Sequence, residues 1–188
     1  HLGDQFPQWL ATTIIEQTHS LISSDFDVQS LLKLSATITG ELKLKALLGR
    51  LIKIVVESTG AERGFILLSQ DDQWLIEAVL ESGDSEPALM QAIAVDESEQ
   101  LPLEVVRFVN RTQQTVVLGD GSHSGQFYRD AYLQRHRVLS LLCAPLVYRS
   151  QTQGIIYLEN NLMRDVFTAE RLAVFTFLSS QMAVAIEN

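Results

Sequence analysis

Gly154-Ile155-Ile156-Tyr157-Leu158-Glu159-Asn160, followed after a short polar stretch by Phe167-Thr168-Ala169-Glu170-Arg171-Leu172, decides the reading of this chain. The first run is a strand with apolar residues on both faces, as a central strand covered on two sides requires. The second opens a helix that continues to Asn188. On that helix Leu172, Phe175, Met182 and Ile186 form one stripe, and Val174, Leu178 and Ala185 lie on an adjacent one. A single core-facing stripe spans roughly 100°. Two stripes imply two partners, the parent domain and something outside it. No Gly or Pro follows the helix, so no stop signal is present. The expectation is a module cut from a longer protein, with its output leaving through this helix.

Upstream, Ser140-Leu141-Leu142-Cys143-Ala144-Pro145-Leu146 reads as the partner strand, with Arg149-Ser150 in the turn. Residues 64–69 and 74–80 form a hairpin about Asp71-Asp72, and 90–95 is a weaker third strand. Pro102 opens a helix carrying Val105, Val106 and Val109 on one side. Residues 115–118 are a short strand, 119–125 a loop rich in Gly, Ser and Asp, and 126–137 contain a short helix. Before the strands, Leu44, Leu47, Leu48, Leu51, Ile52 and Val55 follow helical spacing, with Gly60 as a left-handed C-cap. A separate short helix carrying Val28, Leu31, Leu32 and Ile38 is expected to start at an Asp27 cap and end at Thr39-Gly40. Residues 6–23 read as a further helix with Pro7 at its first position. Strands joined by hairpins imply an antiparallel sheet flanked by helices, so α+β or a three-layer sandwich.

With 188 residues and 46% hydrophobic content, the chain can bury one sizeable core. A formal charge of −9 argues against a nucleic-acid surface, because phosphate binding needs a basic face. Arg129, Arg135, Arg137 and Arg149 cluster in one stretch, either as solvated charges or facing an anionic ligand. No stretch is long and charge-free enough to cross a membrane, and no secretory pattern opens the chain. The single Cys143 allows no internal disulfide, which suits a reducing cytoplasm.

The strand–helix combination at 140–146, 154–160 and 167–188 resembles the GAF domain family, as does Gly60-Ala61-Glu62-Arg63-Gly64 joining the first core helix to the first strand. The similarity is greatest to GAF domains of large multi-domain signalling kinases of bacteria, cyanobacterial ones especially. It implies an α+β fold with a central antiparallel sheet of about six strands flanked by helices on both faces. It also implies linker helices in 1–40 and the domain proper in 41–188. The family senses small molecules, dimerises, or does both. The expected role is therefore a non-catalytic sensory and regulatory domain relaying a signal through its terminal helices to flanking kinase domains of the same chain. The alternative is a structural dimerisation module with no ligand.

Chemistries known for relatives can be tested residue by residue. Bilin attachment uses a cysteine usually followed by His, but Cys143 is followed by Ala144-Pro145. Reduction of free methionine sulfoxide needs several cysteines. The cyclic-nucleotide signature needs an Asp-Glu pair that Phe167-Thr168-Ala169-Glu170-Arg171 lacks. His123 and His136 have no partner spacing for haem or metal. No covalent bilin, haem or metal is expected. Asp120, Ser122 and His123 share a loop, but a triad is assembled in space, not by sequence proximity. By the resemblance, a ligand would sit between the sheet and residues 102–137. Asp120, His123, Phe127, Tyr128, Tyr132 and Cys143 are its candidate lining, with the 119–125 loop as a lid; the same aromatics could instead pack the cap onto the sheet. A homodimer is expected through the terminal helices, because the sheet can cover only one stripe of the last helix. Leu172, Phe175, Met182 and Ile186 approximate a heptad seam with Ser179 as its weak point, the partner surface being whichever stripe faces away from the sheet.

Overall fold

The computed structural model describes residues 28–123 and 125–187. The helix expected at 6–23 and the Asp27 cap lie outside them. Residues Val28–Thr59 form one continuous helix, α1. Thr39-Gly40 therefore does not end a helix. A helical glycine costs only about 1 kcal/mol relative to alanine, and the strong helix formers Glu41, Leu42, Lys43 and Leu44 that follow carry the helix across it.

The compact unit Leu44–Asn188 carries the sheet. Its elements are β1 (Arg63–Gln70), β2 (Gln73–Glu81), β3 (Ala88–Ala94), α2 (Leu103–Thr112), β4 (Val116–Leu118), α3 (Ala131–His136), β5 (Ser140–Tyr148), β6 (Gln151–Asn160) and α4 (Ala169–Glu187). The six strands run in the order β3-β2-β1-β6-β5-β4, every neighbour antiparallel. Both tight hairpins have two central residues with positive φ: Asp71 and Asp72 at 50° and 62°, Arg149 and Ser150 at 47° and 64°. That backbone matches the right-handed strand twist.

Alternation along the strands splits the core in two. Ile66, Ala78, Leu142, Ala144, Ile156 and Leu158 face α1 and α4, which contribute Leu48, Ile52, Val55, Phe175 and Met182. Phe65, Leu67, Ile76, Leu141, Cys143, Ile155 and Tyr157 face the cap formed by α2 and α3, which contributes Val105, Val109 and Leu133. The architecture is α+β, with helices on both faces of the sheet.

Leu47 falls outside the α1 core stripe and stays exposed. The expected seam on α4 is corrected as well. Phe175 and Met182 are buried, and Leu172 and Ile186 pack against the same cluster, so this stripe is used by the domain's own core. The outward face carries Val174, Phe177 and Val184, which are 41%, 65% and 38% exposed.

α1 ends at Gly60, whose φ of +76° makes the turn into β1. Two residues into the fold proper, α1 presses on Gly64. A Cβ there would lie 2.6 Å from Val56 Cγ2 and 2.9 Å from Ile52 Cδ1. Gly64→Ala should therefore destabilise the domain by about 1–3 kcal/mol through overpacking. Urea denaturation measures it, and an unchanged midpoint would mean that α1 can move off β1 without loss.

Candidate functional site

The cap's most polar feature is buried beneath it. Glu159 ends the apolar run of β6 and is fully buried. Its neighbours explain how a carboxylate survives there. Tyr157 Oη donates to Oε2 at 2.7 Å, Tyr132 Oη lies 3.0 Å from both oxygens, and Arg63 Nη1 donates to Oε1 at 3.3 Å. Arg63 Nη1 also donates to Tyr132 Oη at 3.0 Å. Buried charges persist only when paired and hydrogen-bonded, and here a cation and two phenols share the task. Antiparallel register makes it possible, since Arg63 on β1 pairs directly with Glu159 on β6.

Arg63 reaches outward too. Its Nε lies 3.1 Å from Glu81 Oε1. That contact is coulombic, because Nε finds no aligned hydrogen bond. The guanidinium also sits 5.0 Å from the centre of the Phe65 ring. Burial works against its charge, yet the carboxylates of Glu159 and Glu81 help to outweigh it and the Arg63 pKa is raised.

Both phenols are held neutral. Burial first, then the Glu159 charge, raises Tyr132 and Tyr157 well above the ordinary value of 10.0. A raised acid pKa stabilises the fold fully below the unfolded value and loses that contribution as pH climbs above it. Stability should fall above about pH 10 as the unfolded chain begins to release these protons. Tyr132→Phe/Tyr157→Phe should flatten that alkaline slope. Urea unfolding between about pH 8 and pH 11 checks it; identical slopes would remove the phenols as its source.

Among the described residues, the six expected lining residues fall in different surroundings. Phe127, Tyr132 and Cys143 are buried in the cap-side core. Phe127 meets Phe108 edge-on at 5.3 Å, and Tyr132 lies 4.3 Å from the His136 ring. Cys143, opposite Tyr157 in the ladder, is fully buried, and that burial pushes its thiol pKa up. Tyr128 is 40% exposed, with Arg129 over its ring and bonded to its hydroxyl.

Asp120 and His123 meet in the loop before α3. His123 Nδ1 is 2.8 Å from Asp120 Oδ1 and 2.9 Å from Ser122 Oγ. Carboxylate and hydroxyl share one ring nitrogen, so they cannot form a relay through the imidazole, which needs one partner on each nitrogen. Arg164 Nε adds an ion pair to Asp120 Oδ2 at 3.2 Å. Among the described residues, no group of three or more His, Cys, Asp or Glu side chains could hold a metal ion, and no helix is long and apolar enough to cross a membrane.

One carboxylate organises the cap. Asp130 is 3% exposed and starts α3, accepting from Tyr132 N at 2.8 Å and Leu133 N at 3.2 Å. Its second oxygen accepts from Glu104 N at 3.3 Å, in the first turn of α2. Arg63, Asp130, Tyr157 and Glu159 were not among the candidates from sequence. The available signal was a carboxylate in a strand apolar on both faces, which has to find a buried partner.

The family model for GAF domains matches residues 43–186. This chain belongs to the GAF domain family. The GAF domain is 30% identical over 86 residues to hybrid signal transduction histidine kinase G of Dictyostelium discoideum, covering 46% of this chain. It is 23% identical over 171 residues, 89% of this chain, to the peroxide stress-activated histidine kinase mak3 of Schizosaccharomyces pombe. It spans only 2% and 7% of the length of these two curated relatives. Among solved structures, the GAF domain region of a Geobacter sulfurreducens PCA protein superposes with a TM-score of 0.64 at 12% identity, over 81% of this chain and 98% of that one. At that identity the likeness concerns the fold alone.

Proposed function

We propose that this GAF domain is a non-catalytic regulatory module of a cytoplasmic signalling histidine kinase, with residues 1–40 linking it to flanking domains, and that it works as a homodimer. The kinship with histidine kinases supports the setting. The observation that carries the dimer is Phe177, 65% exposed on a helix whose opposite side is in the core. Val174, Phe177, Gln181 and Val184 follow alternating spacings of three and four residues along α4, the spacing of a coiled-coil seam. Gln181 is the polar position in it. α1 covers the same sheet face and adds exposed Leu47 and Ile54, seven residues apart. A seam of this kind pairs with its own copy about a two-fold axis. Parallel pairing brings both C-termini together, as a dimeric kinase downstream requires.

Small-molecule sensing is the second reading. It is supported by an open depression of about 560 Å³ lined by Ser122, His123, Gln134, Arg137, Leu139 and Asn161. The cap interior, filled by Phe127, Tyr132 and Tyr157, favours dimerisation over ligand capture. Sedimentation of the chain on the order of tens of micromolar, where weak specific interfaces populate, tests the first reading. A dimer is expected, and Val174→Glu/Phe177→Glu should give a folded monomer. A monomeric wild type at that concentration would remove the dimer. Native mass spectrometry of the same sample shows whether a small molecule is retained.

A further inference from the structure

The buried cluster around Glu159 occupies an unusual place in the chain. Arg63 lies three residues after Gly60, where α1 ends. Glu159 is the penultimate residue of β6, at the start of the path to α4. The two terminal helices thus enter and leave the sheet side by side, and Tyr132 of the cap reaches both junctions. We propose that Tyr132, Arg63 and Glu159 form a joint through which the cap sets the position of the end of α1 and the start of α4. The proposal deepens the regulatory reading and rests on it for its biological meaning.

Hydrogen bonds run from the joint toward the end of α1 and along the β6–α4 connection. Beside the joint, Glu62 N donates to Glu159 O at 2.8 Å, and Asn160 Nδ2 donates to Gly60 O at 2.9 Å. Asn160 Oδ1 in turn accepts from Leu162 N at 2.9 Å and Met163 N at 2.8 Å, fixing the first turn of the β6–α4 connection. Further along, Arg171 in the first turn of α4 donates through Nη1 to Val166 O at 2.9 Å. The same Nη1 would lie 2.8 Å from a Cβ at Gly60, so α4 abuts the end of α1 there. Tyr132 cannot leave Glu159 without stripping a donor from a fully buried carboxylate, and low local dielectric makes that costly. The cap and the helix roots are then biased together, which is what coupling between sites requires.

Tyr132→Phe in the full 188-residue chain removes the hydroxyl and keeps the ring. Amide hydrogen exchange should speed up by about tenfold at the end of α1 (residues 54–60) and the start of α4 (169–175), the fold-change that loss of a charge-assisted bond gives. The increase must exceed that of strand β2, which reports global opening. Tyr128→Phe, at a cap tyrosine that does not touch Glu159, should change neither segment. Faster exchange confined to 126–137 would overturn the joint. If Tyr132→Phe does not fold, Glu159→Gln is read by the same criterion. Repeating the measurement in the Val174→Glu/Phe177→Glu background separates the two proposals. Coupling that persists in a monomer supports the joint whatever becomes of the dimer, and loss of coupling in a chain that still dimerises overturns the joint alone.

Discussion

Arg63→Met is expected to cost about 3–5 kcal/mol, the range for removing one partner of a buried ion pair. Distance alone would mislead here. Arg107 and Asp96 are closer, at 2.6 Å, than Arg63 Nη1 and Glu159 Oε1 at 3.3 Å. Yet the first pair is exposed at 64% and 72%, so water already solvates both charges and Arg107→Met should cost under about 1 kcal/mol. Glu159 has no exposed side-chain surface. Without Arg63 it keeps two phenol donors but no cation, and the desolvation of its charge stands uncompensated. The double variant Arg63→Met/Glu159→Gln should recover most of the loss, because the neutral amide no longer needs the cation. Urea unfolding of the four chains closes the cycle. A single-variant loss under about 1 kcal/mol, or no recovery in the double, would show that the phenols alone satisfy Glu159.

Most of the fold was legible in the sequence because its signals are local. Asp71-Asp72 and Arg149-Ser150 each stand between apolar runs at two-residue hairpin spacing, and both hairpins form with the expected strands. Pro102 and the Val105, Val106 and Val109 side gave α2 and its buried face. Gly40 misled because a single glycine weakens a helix without breaking it when the flanking residues are helix formers. On α4 the period showed two apolar faces but not which one turns inward. Of the adjacent stripe Val174, Leu178 and Ala185, Val174 is exposed but Leu178 packs against the same core as Leu172 and Ile186, and the most exposed apolar residue of α4, Phe177, belongs to neither stripe. The cap aromatics divided for the same kind of reason. Phe127 and Tyr132 face inward while Tyr128, between them in sequence, faces solvent. The Arg63–Glu159 pair spans 96 residues and becomes visible only once β1 and β6 are known to pair in that register.

The other large effect is expected at Asp130. Asp130→Ala should destabilise the cap by about 2–3 kcal/mol, more than an ordinary exposed N-cap. The excess follows from what the side chain holds. One oxygen satisfies Tyr132 N and Leu133 N at the start of α3, and the other satisfies Glu104 N at the start of α2. Alanine leaves three helix-terminal donors without this acceptor around a site that is 3% exposed. Each unmade buried bond carries a desolvation cost of its own. Asp130→Asn sharpens the argument. The amide keeps one acceptor oxygen, enough for α3, but turns an NH₂ toward Glu104 N, a donor against a donor. Its loss should fall between wild type and alanine, with α2 affected more than α3. Hydrogen exchange distinguishes this from general loosening: α2 and α3 should open together in the alanine variant, while β1 and β6 keep their protection. Equal losses for Ala and Asn would mean that the bond to Glu104 N contributes most of the stabilisation and the α3 cap little. The outcome bears on the joint at Tyr132, because Asp130 fixes the backbone from which that hydroxyl reaches Glu159.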